Sequence, residues 1–260
     1  MKWMMILGCL CLGLIGCVPK EIDKISRYST RYILDGFTFL VKDSKGERVG
    51  PRGNIFSDEE TVVFQDESGS IHLRLRESEE GVLAAEIVCV EAKGFGLYEF
   101  VLEGNLDQIP AEVMVSPFLY YDDENEIDIE FSTWSRVDNE QESPWLGRGN
   151  YQFIRQPYYQ KGHSVRPDEM LVLDHSKGVP LTSYRVYNLE DKVQIEMYEG
   201  GFEDGELIQS WEYSPGVLKG NLMRFRLNLY LRNTTDSKLN ESVEVVLKEF
   251  KFKEISDRRE

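Results

Sequence analysis

The chain has 260 residues, of which 41% are hydrophobic, and its 46 acidic and 30 basic side chains give a net charge of −16. This length is ample for the core of one large domain. The strong negative charge argues against nucleic acid and anionic membrane surfaces as partners.

Residues 1–16 predict a secretory signal. Lys2 supplies one positive charge, and the apolar run that follows over residues 3–14 is short for a membrane span. The run leads into Leu-Ile-Gly-Cys at 14–17, which resembles a bacterial lipobox. That resemblance implies cleavage before Cys17, acylation of Cys17, and a lipid anchor in the bacterial cell envelope, at the outer membrane or cell surface. An ordinary signal peptide followed by a stray cysteine is the alternative.

The rest of the chain is expected to form one domain. We expect a lipidated N-terminus and tether over residues 17–35, a single sandwich over 36–255 and a polar tail over 256–260. Cys89 would be the one unmodified cysteine after processing, so no disulfide is expected within the mature chain. Its apolar surroundings favour a small buried hydrophobe over a nucleophile.

Short strand patterns fill the sequence after residue 36. They alternate between apolar and polar residues, end at turn-forming clusters, and show no amphipathic helical period. The predicted strands cover residues 36–41, 60–64, 70–76, 82–92, 96–103, 112–121, 124–131, 151–155, 171–173, 181–188, 192–198, 208–213, 223–231 and 242–253. We expect hairpins from 60–64 with 70–76 and from 82–92 with 96–103. The pattern predicts an all-β fold, a single β-sandwich or jelly roll of two antiparallel sheets.

One strand carries three carboxylates. Residues 124–134 read Glu-Asn-Glu-Ile-Asp-Ile-Glu-Phe-Ser-Thr-Trp, and alternation puts Glu126, Asp128 and Glu130 on one face with apolar residues on the other. Neighbouring negative charges raise each other's pKa, so one carboxyl can stay protonated while another is ionised, which is what glycoside hydrolysis needs. A solvated strand face and a calcium site are the alternatives that the spacing leaves open.

The same strand resembles the Glu-x-Asp-x-Glu signature of glycoside hydrolase family 16. No extra residue separates the Asp from the second Glu, as in the lichenase-like branch. Further pieces follow in family order, namely Asn-Ile-Phe-Ser at 54–57, Gly-Ser-Ile-His-Leu-Arg-Leu at 69–75, Gly-Phe-Gly-Leu-Tyr-Glu-Phe at 94–100, Tyr-Gln-x-x-x-Gln-Pro at 151–157 and Asn-Leu-Tyr-Leu at 228–231. The resemblance covers most of residues 36–254 and implies a jelly roll with an open cleft.

The resemblance also implies an activity and roles for the trio. Glu126 would be the nucleophile, Glu130 the general acid/base and Asp128 the support of Glu126. The implied enzyme is a retaining endo-glycosidase or transglycosylase acting on a β-linked polysaccharide, with β-glucan as a candidate. A non-catalytic glycan-binding lipoprotein at the cell surface is the first alternative, and a structural envelope lipoprotein that holds calcium is the second.

Sugar sites combine aromatic platforms with planar hydrogen-bonding side chains. The candidates for substrate binding are Trp134, Tyr230, Gln152, Gln156, Tyr120, Trp145 and Tyr158. Period two puts Gln152 and Gln156 on one strand face and turns Arg155 away. Core packing is the alternative for the aromatic residues. Two positions where lichenase-like members carry Trp are Glu124 and Tyr230 here, and these departures put the substrate in question but not the chemistry.

The expected partners are a polysaccharide or oligosaccharide substrate and the membrane, the latter through the N-terminal lipid only. Nucleic acid is not expected, and the protein is expected to be a monomer. No cofactor is predicted, and a structural calcium ion is not predicted either. The three histidines, His72, His163 and His175, stand in unrelated contexts without zinc-ligand spacing.

Overall fold

The computed structural model describes residues 27–132, 150–156, 173, 180–214, 222–234, 239 and 242–255. Over these residues the chain forms sixteen strands and one 3-10 turn at Leu106–Gln108. The strands are β1 Tyr28–Leu34, β2 Phe37–Lys42, β3 Ile55–Phe56, β4 Val63–Gln65, β5 Ile71–Arg74, β6 Arg76–Ser78, β7 Gly81–Cys89, β8 Gly96–Glu103, β9 Val113–Asp122, β10 Asn125–Phe131, β11 Tyr151–Arg155, β12 Leu181–Asn188, β13 Val193–Glu199, β14 Glu206–Tyr213, β15 Arg224–Leu231 and β16 Glu244–Glu254. Within the same ranges, no helix has the length and apolarity needed to cross a membrane.

The strands form two sheets, which confirms the predicted antiparallel sandwich. The first sheet has the order β1-β2-β7-β15-β9-β10-β11, with β3 and β6 also pairing with β7. The second sheet has the order β14-β13-β12-β8-β16-β5-β4. Neighbouring strands are antiparallel apart from the two-residue pairing of β3 with β7, which is parallel. The chain is therefore a two-layer jelly roll.

Aromatic side chains hold the two sheets together. Phe225 of the first sheet packs against Phe100 and Phe250 of the second, with ring centroids 4.9 and 4.7 Å apart. Phe39 of the first sheet lies 5.6 Å from Phe250 with its ring nearly perpendicular, the edge-to-face arrangement that aromatic pairs favour. Cys89 is buried in this core, and burial raises the pKa of its thiol to about 12. This thiol therefore behaves as a small hydrophobe.

Of the two hairpins expected from the sequence, the structure confirms one and contradicts the other. Strands β4 and β5 pair as expected. Strands β7 and β8 do not pair, because β7 belongs to the first sheet and β8 to the second. The chain changes sheets at residues 93–95, and Gly96 at the start of β8 lies so close to β16 that a Cβ there would be 2.6 Å from the carbonyl oxygen of Lys253. Proximity in sequence predicted a hairpin, but β8 pairs with β12 and β16 of the second sheet and not with β7.

The predicted tether over residues 17–35 is wrong for its second half. Residues 28–34 form β1, the edge strand that pairs with β2 from Tyr28 opposite Lys42 to Leu34 opposite Phe37. The turn between them is Asp35-Gly36, and both residues have positive φ, 50° and 82°. Such a pair is a strong two-residue hairpin signal. Residues 1–26 and 256–260, with the predicted signal, lipidation site and tail, lie outside the described residues.

Candidate active site

The acidic strand β10 lies between β9 and β11 in the first sheet. On the β11 side its register is continuous, with Asp128 opposite Ile154 and Glu130 opposite Gln152. No bulge therefore separates Asp128 from Glu130, as the spacing predicted. A register shift on the β9 side falls at Asn125, just before the trio.

The two faces of β10 have opposite characters. Its apolar face is buried in the core through Ile127, Ile129 and Phe131. The carboxyls of Glu126, Asp128 and Glu130 line a cleft with a volume of about 700 Å³ on the other face. The period-two prediction for this strand is confirmed.

The protonation of the trio is uneven. Asp128 is 3% exposed, and burial, followed by the charges of Glu126 and Glu130, raises its pKa well above the ordinary value. Burial also raises the pKa of Glu126, to about 7, although a hydrogen bond from Asp128 and the charge of Arg226 act in the opposite direction. Asp128 therefore acts as the hydrogen-bond donor of this pair and Glu126 as the acceptor. Burial is the leading cause, ahead of the mutual repulsion from which the sequence argument started.

Two amides of β11 support alternate carboxyls of β10. Gln152 donates a hydrogen bond to the carboxyl of Glu130, and Gln156 donates one of 3.1 Å to Asp128. Burial raises the pKa of Glu130, and the hydrogen bond from Gln152 opposes that rise. Arg155 turns away, as expected, and donates to the backbone carbonyl oxygen of Glu124 at 2.8 Å.

Four of the seven predicted substrate-binding residues lie in the cleft or directly beside it. Tyr120, Tyr230 and Gln156 line it, and Gln152 adjoins it through Glu130. The hydroxyl of Tyr120 donates to Asp123 at 2.8 Å, and Tyr230 is buried to 8% exposure. Burial raises the pKa of both phenols. The remaining candidates, Trp134, Trp145 and Tyr158, lie outside the described residues.

A row of polar side chains across the first sheet was missed by the sequence argument. From β1 to β11 the row consists of Tyr28, Lys42, Glu86, Asn228, Ser116, Glu130 and Gln152. The cross-strand pairs along it include Tyr28 with Lys42, Glu86 with Asn228, Asn228 with Ser116, and Glu130 with Gln152. A sequence signal existed, because Glu86 is a lone carboxylate inside the apolar strand β7. Its meaning depends on which strands lie beside β7, and local patterns do not reveal that.

Glu86 is the most buried acid of this row, at 2% exposure. Its carboxyl accepts hydrogen bonds from Lys42 at 2.7 Å, Tyr28 at 2.7 Å and Arg226 at 3.2 Å. Burial alone would raise the pKa of Glu86, but the charges of Lys42 and Arg226 hold it below the ordinary value. Glu86 is thus a fully ionised acid at neutral pH, in contrast to Asp128 in the same cleft.

The described part of the chain contains no group of three or more His, Cys, Asp or Glu side chains that could hold a metal ion. Carboxyls with unequal protonation at one cleft can supply both an acid and a base or nucleophile to the same reaction.

Comparisons with known proteins bear on the fold. No family model and no curated protein matches the chain. Among solved structures, the chain resembles a β-glucanase of Bacillus licheniformis, with a TM-score of 0.58 and 17% identity over 86% of this chain and 94% of that one. A glycosyl hydrolase family 16 protein of Mycobacterium smegmatis gives a TM-score of 0.53 and 11% identity over 84% and 92% of the two chains.

A third similar structure is an immunostimulatory antigen and pseudo β-1,3-glucanase of Mycobacterium tuberculosis, with a TM-score of 0.52 and 14% identity over 81% and 88% of the two chains. At such low identities the likeness establishes the architecture only. The chain has the jelly-roll fold found in family 16-type β-glucanases, and any activity must be argued from the site itself.

Proposed function

We propose that the protein is a retaining endo-glycosidase or transglycosylase that acts on a β-linked polysaccharide, with β-glucan as the first candidate. The observation that carries the proposal is the carboxyl trio of β10, which lines a cleft where burial raises the pKa of Asp128 well above its ordinary value and that of Glu126 to about 7. The fold shared with family 16-type β-glucanases agrees with it. The lichenase-like branch remains part of the proposal.

Each carboxyl takes one role in the proposed reaction. Glu126 attacks the anomeric carbon and forms a covalent glycosyl-enzyme while Glu130 gives its proton to the leaving oxygen. Glu130 then removes a proton from water, or from a sugar hydroxyl in transglycosylation, as that oxygen attacks the anomeric carbon. The bond to Glu126 breaks and the carboxylate is regenerated. The hydrogen bond from Asp128 disperses the negative charge that returns to Glu126.

A non-catalytic glycan-binding lipoprotein is the second candidate. This candidate is favoured by the existence of a pseudo β-1,3-glucanase with the same architecture, the Mycobacterium tuberculosis antigen named above. The buried trio favours catalysis, because burying carboxyls side by side is unfavourable and binding neutral sugars does not require it. The net charge of −16 favours a neutral polysaccharide over a strongly sulfated one.

We also propose that the protein is a monomer anchored in the bacterial cell envelope by lipid on Cys17. The support is the Leu-Ile-Gly-Cys segment at 14–17 after an apolar run. Protein expressed from the full gene should partition into the detergent phase and carry lipid at Cys17 by mass spectrometry. A Cys17→Ala variant that remains lipidated and membrane-bound at normal size would contradict the anchor.

The activity is tested with a panel of polysaccharides and a reducing-end assay. We expect release of reducing ends from at least one neutral β-linked polymer, with retention at the anomeric carbon by NMR. Longer products from mixed oligosaccharides would identify transglycosylation. Thermal stabilisation by an oligosaccharide that is never cleaved would favour the binding protein. Stabilisation by calcium alone, lost on Asp128→Asn, would favour the structural alternative.

A further inference from the structure

The cleft contains a buried ion network that the proposed reaction does not use. Glu86, Lys42, Arg226 and Tyr28 all line the cleft, and the carboxyl of Glu86 connects the other three. Buried ion pairs add little net stability compared with apolar packing, because both charges must be removed from water. Such a network next to reacting carboxyls therefore suggests a role in the chemistry.

Arg226 is the member of the network that extends toward the trio. Its Nη1 donates to the carboxyl of Glu86 at 3.2 Å and to the hydroxyl of Tyr28 at 3.0 Å. The central carbon of the same guanidinium, Cζ, lies over the ring of Tyr120, 4.7 Å from the ring centroid. Arg226 is thus held by two polar contacts and by an aromatic ring.

The register of the sheet places this contact next to the proposed nucleophile. Tyr120 lies opposite Glu126, so the ring that packs on Arg226 is the direct cross-strand neighbour of Glu126. Phe118, one pair further along β9, lies opposite both Arg226 and Asp128. Arg226 on β15 and the trio on β10 therefore lie on the same face of the sheet, with the single strand β9 between them.

We infer that Arg226 is a positioning residue in the proposed reaction. Its guanidinium, fixed by Glu86 and Tyr28, holds the ring of Tyr120 in place and puts a positive charge near Glu126. The inference rests on the proposed function and names a residue that the trio needs. A buried acidic cluster favours protonated carboxyls, and a protonated Glu126 cannot attack. A fixed cation counters this effect, in agreement with the lowering of the pKa of Glu126 by Arg226.

An arginine suits this position better than a lysine. Its planar group donates to Glu86 and Tyr28 while its Cζ lies over the ring of Tyr120, a combination that suits a guanidinium. A lysine ammonium would supply the charge as a compact point but would not stack in the same way. Arg226→Gln removes the positive charge, whereas Arg226→Lys keeps the charge and loses the guanidinium that holds the ring of Tyr120. The two substitutions therefore separate the effect of the charge from that of the ring contact.

The pH dependence of kcat/KM distinguishes the two roles, because the loss of a purely structural residue would leave it unchanged. Titratable or charged groups around Glu126 come from β9, β10, β11, β15 and the turn before β10, and they are Tyr120, Asp128, Glu130, Arg155, Arg226, Tyr230 and Asp123. Of the two cations, Arg155 donates to backbone carbonyl oxygens, whereas Arg226 lines the cleft. The acidic limb of kcat/KM should therefore depend on Arg226.

The experiment compares Arg226→Gln with Arg224→Gln on the polysaccharide that the parent cleaves. Arg224 precedes Arg226 by two residues on β15 and lies opposite Tyr120 in the register, but its guanidinium donates to the backbone oxygen of Val90 at 3.4 Å. Its replacement makes the same change in charge. We expect Arg226→Gln to move the acidic limb up by about one pH unit, a tenfold loss of kcat/KM on that limb. Arg224→Gln should leave the limb in place. Arg226→Lys should leave the acidic limb at the same pH but lower kcat, because the ring of Tyr120 is no longer held by a guanidinium.

Several outcomes overturn the inference. An unchanged acidic limb in Arg226→Gln, with or without a uniform loss of rate, would reduce Arg226 to a structural residue. An equal shift of the acidic limb in Arg224→Gln would show a general charge effect. If Arg226→Lys had the same kinetics as the parent, the guanidinium would not be needed to hold the ring of Tyr120. If Arg226→Gln does not fold, the double variant with Glu86→Gln replaces the ion pair by two amides, and its limb should rise likewise. An inactive parent, or an active Glu126→Ala variant, would instead refute the proposed function and the inference with it.

Discussion

The side-chain amide of Gln156 donates a hydrogen bond of 3.1 Å to Asp128, the most buried carboxyl of the trio. Asp128 in turn donates a hydrogen bond to the carboxyl of Glu126. A chain of two hydrogen bonds thus runs from β11 to the proposed nucleophile. Because both donors are fixed, Glu126 is oriented before a substrate arrives, and the first predictions depend on this arrangement.

Glu126→Ala and Glu130→Ala should fail in different ways. Loss of Glu126 removes the nucleophile, and azide should restore turnover with inversion because a small anion can enter the vacated space. Glu130→Ala should lower kcat by about 10²- to 10⁴-fold, and azide should rescue it with retention when the leaving group is good. Product anomers followed by NMR distinguish the two. Cleavage by Glu126→Ala at the parent's rate would refute the assignment.

Two replacements of Asp128 should separate its hydrogen bond from its acidity. Asp128→Asn keeps the fold and an N–H donor toward Glu126, so kcat/KM should fall by about tenfold. Asp128→Ala has no donor and adds no bulk at this buried position, and the loss should be about a further tenfold, one hydrogen bond to a charged group. Equal kinetics in the two variants, both folded by circular dichroism, would mean that the hydrogen bond to Glu126 has no catalytic role.

Glu126→Gln should stabilise the protein in the alkaline range. The pKa of Glu126 is about 7 in the folded protein against an ordinary 4.5, so the folded state binds the proton more tightly. Its contribution to stability is therefore present below about pH 4.5 and is lost as the pH rises to about 7. Urea unfolding should show the variant to be more stable by roughly 1–3 kcal/mol at pH 8 and equal to the parent at pH 4.

The control for this prediction is Glu124→Gln, which makes the same change in charge at an exposed position two residues earlier. It should change the free energy of unfolding by less than about 0.5 kcal/mol at either pH. If Glu126→Gln were less stable than the parent at pH 8, burial would not be the dominant influence on this carboxyl.

Glu86→Ala should be strongly destabilising, by about 3–5 kcal/mol, because it leaves Lys42 and Arg226 as buried cations without their shared carboxylate. The two cations have side-chain exposures of only 12% and 13%. Glu47→Ala provides the matched control, since Glu47 pairs with Arg27 at 3.1 Å with exposures of 68% and 45%. That change should cost less than about 1 kcal/mol. Equal costs in urea unfolding at pH 7 would contradict the burial argument.

Local alternation was enough to predict much of the site. It placed Glu126, Asp128 and Glu130 on one face of β10, and it paired Gln152 with Gln156 on one face of β11, because strand geometry alone decides these faces. The Asp35-Gly36 turn was equally local and was overlooked only because the segment before it is polar. The prediction failed where the answer depends on which strands are neighbours.

The contact between Glu86 and Arg226 illustrates that limit. The two residues are 140 positions apart, and they meet because β7 and β15 are adjacent in the first sheet. Nothing in the residues of either strand specifies this adjacency. The same ignorance of strand order produced the incorrect hairpin of β7 with β8, whose sequence proximity is real but whose sheets differ.

The order of the strands also determines when the protein can fold during its synthesis. Strand β15 lies between β7 and β9, and β16 lies between β8 and β5, so the last two described strands complete the interiors of both sheets. Neither layer can close while the C-terminal part of the chain is still being made, and the nascent protein must leave the edges of β7, β9, β8 and β5 unpaired until then. A chain that stops before residue 224 would therefore carry the complete acidic strand and yet present open edges prone to aggregation instead of a cleft.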